Sequence, residues 1–411
     1  MSEKVVVVGA GHAAGQVAVS LRQKGYAGDI TLIGDEPWVP YQRPPLSKAF
    51  LAGELETKRL FFKPEQYYPE HNIELLLNTR VDDIKRDTKT LKLDNDTSLN
   101  YDWLVLCTGS RVRKASIPGS DLHGVHYLRS IADVDAIRAD FGTAKNLVIV
   151  GAGYIGLEVA AVARKSGLNV TVLEMAERPL QRVVAPELSA FYSKLHQDAG
   201  VDLRCNVAID RFSGDQQITA VHLKDDVVVP ADMVIIGIGI LPNTELAEEA
   251  GIAVDNGIVV NEFCVTNDPA ILAAGDCTSH PNRLLNRSVR LESVHNALEQ
   301  GKTVAASICG APVEYAQIPW FWSDQYDVKL QIVGLSQGYD TVVVRGEPDS
   351  KSFAAFYLKG NKLLAVDAVN SAREFMLAKK LLAKGASLDV EQLRDMSIPF
   401  KEIANAALAA A

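Results

Sequence analysis

One short pattern occurs twice in this chain, and it limits the possible folds more than any other feature. Leu147–Glu174, LVIVGAGYIGLEVAAVARKSGLNVTVLE, runs from an apolar stretch through three glycines at GxGxxG spacing to an amphipathic stretch, a second apolar stretch and an acid. The pattern predicts strand, tight turn, helix and strand, the unit that cradles a dinucleotide. Gly151 permits the turn, Gly153 lets the backbone approach a pyrophosphate, and Gly156 lets helix and strand pack closely. Tyr154 and Ile155 open the helix, whose unpaired N–H groups and partial positive charge face the phosphates. Glu174 stands where a carboxylate accepts hydrogen bonds from a ribose. The twin begins at the four-valine run Val5–Val8, with Gly9, Gly11 and Ala14 as GxGxxA and a strand Ile30–Ile33 ending in Gly34-Asp35-Glu36. Alanine is an accepted third residue of the motif. Asp35 is the candidate ribose contact of this first unit, with Glu36 as its alternative. Two such units predict two dinucleotides on one chain.

The chain has 411 residues, too many for one ordinary core, so two or three domains are expected. With 47% hydrophobic and 23% charged residues it has the composition of a soluble globular protein. A net charge of −9 argues against nonspecific nucleic-acid binding. No apolar run is long enough to span a bilayer, and the first residues show no secretory pattern. Cys107, Cys205, Cys264, Cys277 and Cys309 are scattered and form no CxxC, which points to a reducing cytoplasm and to neither a disulfide framework nor a metal site.

Between the twin units, Tyr41–Lys48 (YQRPPLSK) is a loop stiffened by Pro44 and Pro45, after which Leu46 can begin a helix; Lys48 follows that rigid turn. Ile73–Leu77, Leu91–Leu93 and Leu104–Cys107 are expected strands, and Val81 is a candidate wall for an adenine. Ser116–Gly119 marks a crossover into a second domain. Val201–Cys205, Ile218–Leu223 and Val227–Val229 are expected to form a meander. The strand Met233–Ile236 ends in Gly237 and Gly239, glycines suited to close approach by a ligand, and Pro242-Asn243 marks a second crossover. Ile271–Ala274 has no complete unit of its own and runs into Gly275-Asp276, so it is expected to return to the first domain, with a helix over Leu291–Lys302. The last part opens with PWFWSDQ (Pro319–Gln325) and continues as short strands and a helix from about Ser371 to Leu382.

In order, VVVGAGHAAG, RPPLSK, LVLCTGS, VIVGAGYIGLEVA, GIGILPN, LAAGDC and PWFWSDQ resemble the two-dinucleotide flavin reductases of the glutathione-reductase-like superfamily. RPPLSK and PWFWSDQ narrow the resemblance to the NADH-dependent ferredoxin reductases that serve bacterial cytochrome P450s and Rieske-type dioxygenases. The implied fold is α/β. Two Rossmann-like domains, an FAD domain (1–115 and 244–316) interrupted by an NAD domain (116–243), precede a C-terminal α+β domain (317–411). The resemblance implies FAD contacts from Gly9, Gly11, Ala13, Ala14, Asp35, Lys48, Val81, Arg129, Asp276 and Val294. For NAD(H) the candidates are Gly151, Gly153, Tyr154, Ile155, Gly156, Glu174, Gly237 and Gly239. Lys48 is implied near the reactive edge of the flavin, with Glu158 as its ion partner. A tryptophan of PWFWSDQ is implied beside the flavin's exposed edge; Trp322 matches better than Trp320.

A hydride would pass from NADH to FAD without an acid, base or nucleophile from the protein, and single electrons would leave for a separate [2Fe–2S] ferredoxin. The chain has no clustered cysteines to hold an iron–sulfur centre itself. Glu174 favours NADH, because a carboxylate there repels the 2′-phosphate of NADPH; Arg178 lies nearby but adjoins Glu177. Lys63, Lys302 and Lys401 are candidates for docking an acidic ferredoxin. Two alternatives share the scaffold. A disulfide or peroxide reductase needs a cysteine beside the flavin, which residues 36–60 lack, and a redox-signalling flavoprotein resembling apoptosis-inducing factor is disfavoured by the acidic composition. NADH oxidase activity is a further alternative.

Overall fold

A computed structural model describes residues 3–411. The chain divides into two compact units. The first takes in the chain up to Gln42, then Glu56–Arg111 and Ile240–Pro319. The second takes in Arg43–Leu55, Val112–Gly239 and Trp320–Ala411.

The first unit is built on a five-stranded parallel sheet in the order Ile271–Ala273, Trp103–Leu106, Lys4–Val8, Asp29–Ile33, Ile73–Leu76. The four-valine run sits at its centre, where both faces are covered. Val5 and Val7 face a core with Ala14, Val17 and Leu21 of the helix His12–Gln23 and Val304 and Ile308 of the helix Val294–Ile308. Val6 and Val8 face the other way, onto Val81, Ile84, Leu91 and Leu106. Full burial of a valine contributes about 1.5–3 kcal/mol, and the run places two valines in each of the unit's two cores. As expected, Ile271–Ala273 returns to this sheet, pairing in parallel with Trp103–Leu106.

The second unit holds another five-stranded parallel sheet, ordered Asp202–Arg204, Asn169–Leu173, Asn146–Val150, Met233–Ile236, Val125–His126. It also holds a five-stranded antiparallel sheet ordered Trp320–Gln325, Val328–Gly334, Lys362–Val369, Ser352–Lys359, Thr341–Glu347, against which the helix Ala372–Lys384 packs.

Three local expectations need correction. Val201–Cys205 does not begin a meander: Asp202–Arg204 extends the parallel sheet through Asn169–Leu173. The meander starts instead at Ile209–Ser213, too polar to stand out, and continues through Ala220–Leu223 and Val228–Pro230. No α-helix starts at Leu46; the two prolines open a single 3₁₀ turn, Pro44–Ser47. The helix expected from Leu291 starts at Val294, because Ser293 caps it by accepting from the Asn296 N–H. Among the described residues no helix is long and apolar enough to cross a membrane.

Candidate functional site

The two glycine turns superimpose residue by residue in their hydrogen bonds. Gly9 N–H donates to Ile33 O at 2.7 Å and Gly151 N–H to Leu173 O at 2.8 Å. Cys107 N–H and Gly237 N–H donate to Val8 O and Val150 O, both at 2.8 Å. The first glycine is obligatory in each. Its φ is +120° at Gly9 and +103° at Gly151, and a Cβ would lie 2.2 Å from Cys107 O or 2.5 Å from Gly237 O. The second glycines, Gly11 and Gly153, cap the following helices, and a Cβ on either would meet nothing within 4 Å. Packed behind and open in front, with helix N–H groups at the opening, both turns fit a dinucleotide pyrophosphate. Ala14 is fully buried in the first unit. A Cβ at its counterpart Gly156 would lie 2.2 Å from Gly151 O, so only the first turn has room for alanine.

The acids do not superimpose. By the same register Gly34 matches Glu174, and Asp35 comes one residue later, matching Met175. A Cβ at Gly34 would meet that of Ala10 at 2.6 Å. Asp35 is exposed, whereas Glu36 accepts from the Tyr41 hydroxyl at 2.7 Å. Glu174 is held inside its own turn, accepting from Ala152 N–H at 2.7 Å and Ala176 N–H at 2.8 Å. Arg178 donates to Val184 O, Gln181 O and Ser189 Oγ, so its guanidinium braces its own loop.

Of the residues proposed for FAD, Gly9, Gly11, Ala13, Ala14, Asp35, Val81, Asp276 and Val294 belong to the first unit, and Lys48 and Arg129 to the second. Asp276 accepts from Ser110 Oγ at 3.0 Å, at the end of the returning strand. Val81 is buried in the core as the first residue of a strand. Val294 opens the helix capped by Ser293. Arg129 precedes a helix whose capping box is formed by Ser130 and Asp133, and its carbonyl accepts from Arg43 at 2.7 Å. The NAD candidates all lie in the second unit or at its edge residue Gly239. Ile155 is 46% exposed at the mouth of the turn.

Lys48 and Glu158 meet within the second unit. Lys48 Nζ lies 2.6 Å from Glu158 Oε2, and the carboxylate is almost fully buried. Two serines that sequence reasoning passed over complete its shell: Ser47 Oγ donates to Oε2, and Ser323 Oγ to Oε1 at 2.7 Å. Their convergence follows from two periodicities. Tyr154 and Glu158 lie one turn apart on a helix, and Phe321 and Ser323 alternate onto one face of a strand. Phe321 packs on Tyr154 at 4.8 Å while Ser323 reaches Glu158. Trp320 and Trp322 share the opposite face, with ring centroids 5.5 Å apart. The only signal for the serines was their place inside RPPLSK and PWFWSDQ.

Among the docking candidates, Lys63 lies over the Tyr67 ring at 5.3 Å, Lys302 pairs with Glu299 at 2.6 Å, and Lys401 is exposed on the helix Phe400–Ala410. The described residues contain no group of three or more His, Cys, Asp or Glu that could hold a metal.

A chain with two such cradles and a C-terminal antiparallel domain defines a class. Residues 3–301 match the family model for pyridine nucleotide-disulphide oxidoreductases and residues 320–404 the reductase C-terminal model; the chain belongs to this family, in its ferredoxin-reductase branch. It is 45% identical to putidaredoxin reductase of Pseudomonas putida, over 99% of this chain and 98% of that one. It is 43% identical to the ferredoxin–NAD(+) reductase component of the anthranilate 1,2-dioxygenase system of Burkholderia cepacia, over 97% and 99% of the two chains. The covalent putidaredoxin reductase–putidaredoxin complex matches with a TM-score of 0.96 at 45% identity, covering 99% of each chain.

Proposed function

We propose that this chain is an NADH-dependent, FAD-containing ferredoxin reductase that supplies a cytochrome P450 or Rieske-type oxygenase through a [2Fe–2S] ferredoxin. The observation that carries this reading is the pair of equivalent but differently furnished cradles in one chain, together with full-length likeness to reductases of oxygenase systems. FAD, when bound, takes two electrons from NADH and returns them singly. The protein's part is to bind and orient. Gly9, Gly11, Ala13 and Ala14 cradle the FAD pyrophosphate, Asp35 takes its ribose, and Asp276, Val81, Val294, Arg129 and Lys48 complete its contacts. Gly151, Gly153, Tyr154, Ile155 and Gly156 receive the NADH pyrophosphate, with Gly237 and Gly239 bordering the turn. Glu174 selects NADH; its fixed carboxylate and the internal engagement of Arg178 support that choice. The Lys48 ammonium, held by Glu158, supplies the positive charge that favours reduced flavin. Trp322 stands beside the flavin's exposed edge, and Lys63, Lys302 and Lys401 steer the acidic partner.

In this reading the FAD domain comprises 1–115 and 244–316, the NAD domain 116–243 and the C-terminal domain 317–411. We place the protein in the cytoplasm, in keeping with five free thiols, three of them buried. The test is anaerobic reduction with NADH followed by cytochrome c reduction with and without a panel of [2Fe–2S] ferredoxins. At least one ferredoxin is expected to stimulate the rate strongly; stimulation by none would refute the reading.

A further inference from the structure

Beyond Ser323 the hydrogen bonds continue. Gln325 Nε2 lies 3.1 Å from Ser323 Oγ, His196 Nε2 lies 2.8 Å from Gln325 Oε1, and the Tyr326 hydroxyl lies 3.4 Å from His196 Nδ1. Ser323, Gln325 and His196 are each at most 1% exposed, and all belong to the second unit. The direction of every bond follows from its first member. A salt-bridged carboxylate only accepts, so the one proton of Ser323 goes to Glu158. The serine oxygen must then accept from the amide NH₂ of Gln325. That orientation turns the amide oxygen to His196, whose Nε2 must carry the proton. Nδ1 is left as the acceptor for Tyr326. Four side chains from a helix, a strand and a hairpin turn therefore donate in one direction, toward Glu158. Burial lowers the His196 imidazole below its ordinary range, in keeping with a neutral ring. Tyr326 sits in the hairpin turn at φ +55°, a conformation costing a bulky residue about 1–2 kcal/mol, so its placement is held by its surroundings.

We propose that Ser323, Gln325 and His196 are positioning residues, a polarised hydrogen-bond chain that fixes Glu158 and, through it, the Lys48 ammonium for the reductase reaction. The proposal rests on the roles given above to Lys48 and Glu158. An apolar chain of the same shape would hold the two helices and the strand together equally well, since buried polar groups add little net stability. What the polar chain adds is a fixed orientation for one carboxylate.

Two measurements on the FAD-loaded protein test this. Long-range proton–nitrogen correlation spectra of histidine-labelled protein should show His196 neutral with its proton on Nε2, and that preference should disappear in Gln325→Leu. In anaerobic stopped-flow, Ser323→Ala should lower the limiting rate of flavin reduction by NADH about tenfold, the loss of one hydrogen bond to a charged group, and Gln325→Leu, which removes the donor that orients Ser323, should lower it less. The dependence on NADH concentration should be unchanged. Ser323→Thr and His196→Gln, which keep a donor, should recover most of the rate. A wild-type ring protonated on Nδ1 or on both nitrogens would overturn the chain. Wild-type limiting rates in both Ser323→Ala and Gln325→Leu would overturn the positioning role, even if melting temperatures fall. A wild-type flavin that NADH does not reduce would instead remove the roles of Lys48 and Glu158, leaving the tautomer result to stand for the chain alone.

Discussion

The two glycine turns share backbone geometry and differ in what surrounds it. In the first unit the third motif position holds a buried alanine, the strand-end position is a glycine, and the acid follows one residue later, exposed. In the second unit the third position admits only glycine, and the strand-end position is a glutamate tied to two amides of its own turn. A loose acid suits a cofactor that stays bound through many contacts. A fixed acid suits one that must be recognised anew at each turnover, because its binding then carries no cost of ordering the carboxylate. The difference teaches that GxGxxG identifies a cradle but not its tenant; the furnishing around it does.

The largest contrast expected between the units is in pH dependence. His280, in the first unit, is buried with neither ring nitrogen hydrogen-bonded among the described residues, and burial lowers it to about 4 from 6.5. The folded state therefore sheds a proton that the unfolded chain keeps. This stability is complete above pH 6.5 and drains as pH falls toward 4. Asp367, in the second unit, is buried against the Tyr357 hydroxyl, and desolvation raises it to about 7 from 3.8. Here the folded state keeps the proton, so the contribution is complete below 3.8 and is lost as pH rises through 7. Each shift corresponds to about 3–4 kcal/mol. Denaturant melts should show His280→Phe gaining stability over wild type only at acid pH and Asp367→Asn only at neutral and alkaline pH. The same pH profile in both variants would break the contrast.

Next in size is Glu174→Ala, which strands two amide donors and removes the carboxylate we propose for the NADH ribose. NADH affinity should fall about 10–100-fold while discrimination against NADPH narrows and FAD content stays unchanged. Steady-state kinetics with both nucleotides checks this; unchanged discrimination would remove the assigned role. The smallest effect belongs to Ala14→Gly. The first turn accommodates alanine, so losing the methyl should cost only about 1 kcal/mol in melting studies, with FAD retained.

Much of this was legible in the sequence because it is local. The apolar runs and both glycine turns follow from spacing within a few residues, and Ile271–Ala273 is expected to return to the first sheet because it lacks a unit of its own. What escaped is what the fold brings from afar. Ser47 and Ser323 reach Glu158 from 111 and 165 residues away. Asp202–Arg204 carries the polar–apolar–polar pattern of a meander strand, yet its partner is the parallel edge at Asn169–Leu173. The offset of Asp35 from Glu174 shows in the sequence only as the extra Gly34, and the hydrogen-bond register establishes that Gly34 takes the place of Glu174.

The central claim is that one cradle keeps FAD while the other takes NADH. Anaerobic titration of gel-filtered protein tests it most directly. The account predicts about one retained FAD per chain, bleached by about one equivalent of NADH and far more slowly by NADPH. Protein that emerges colourless, or flavin reduced equally well by both nucleotides, would contradict it.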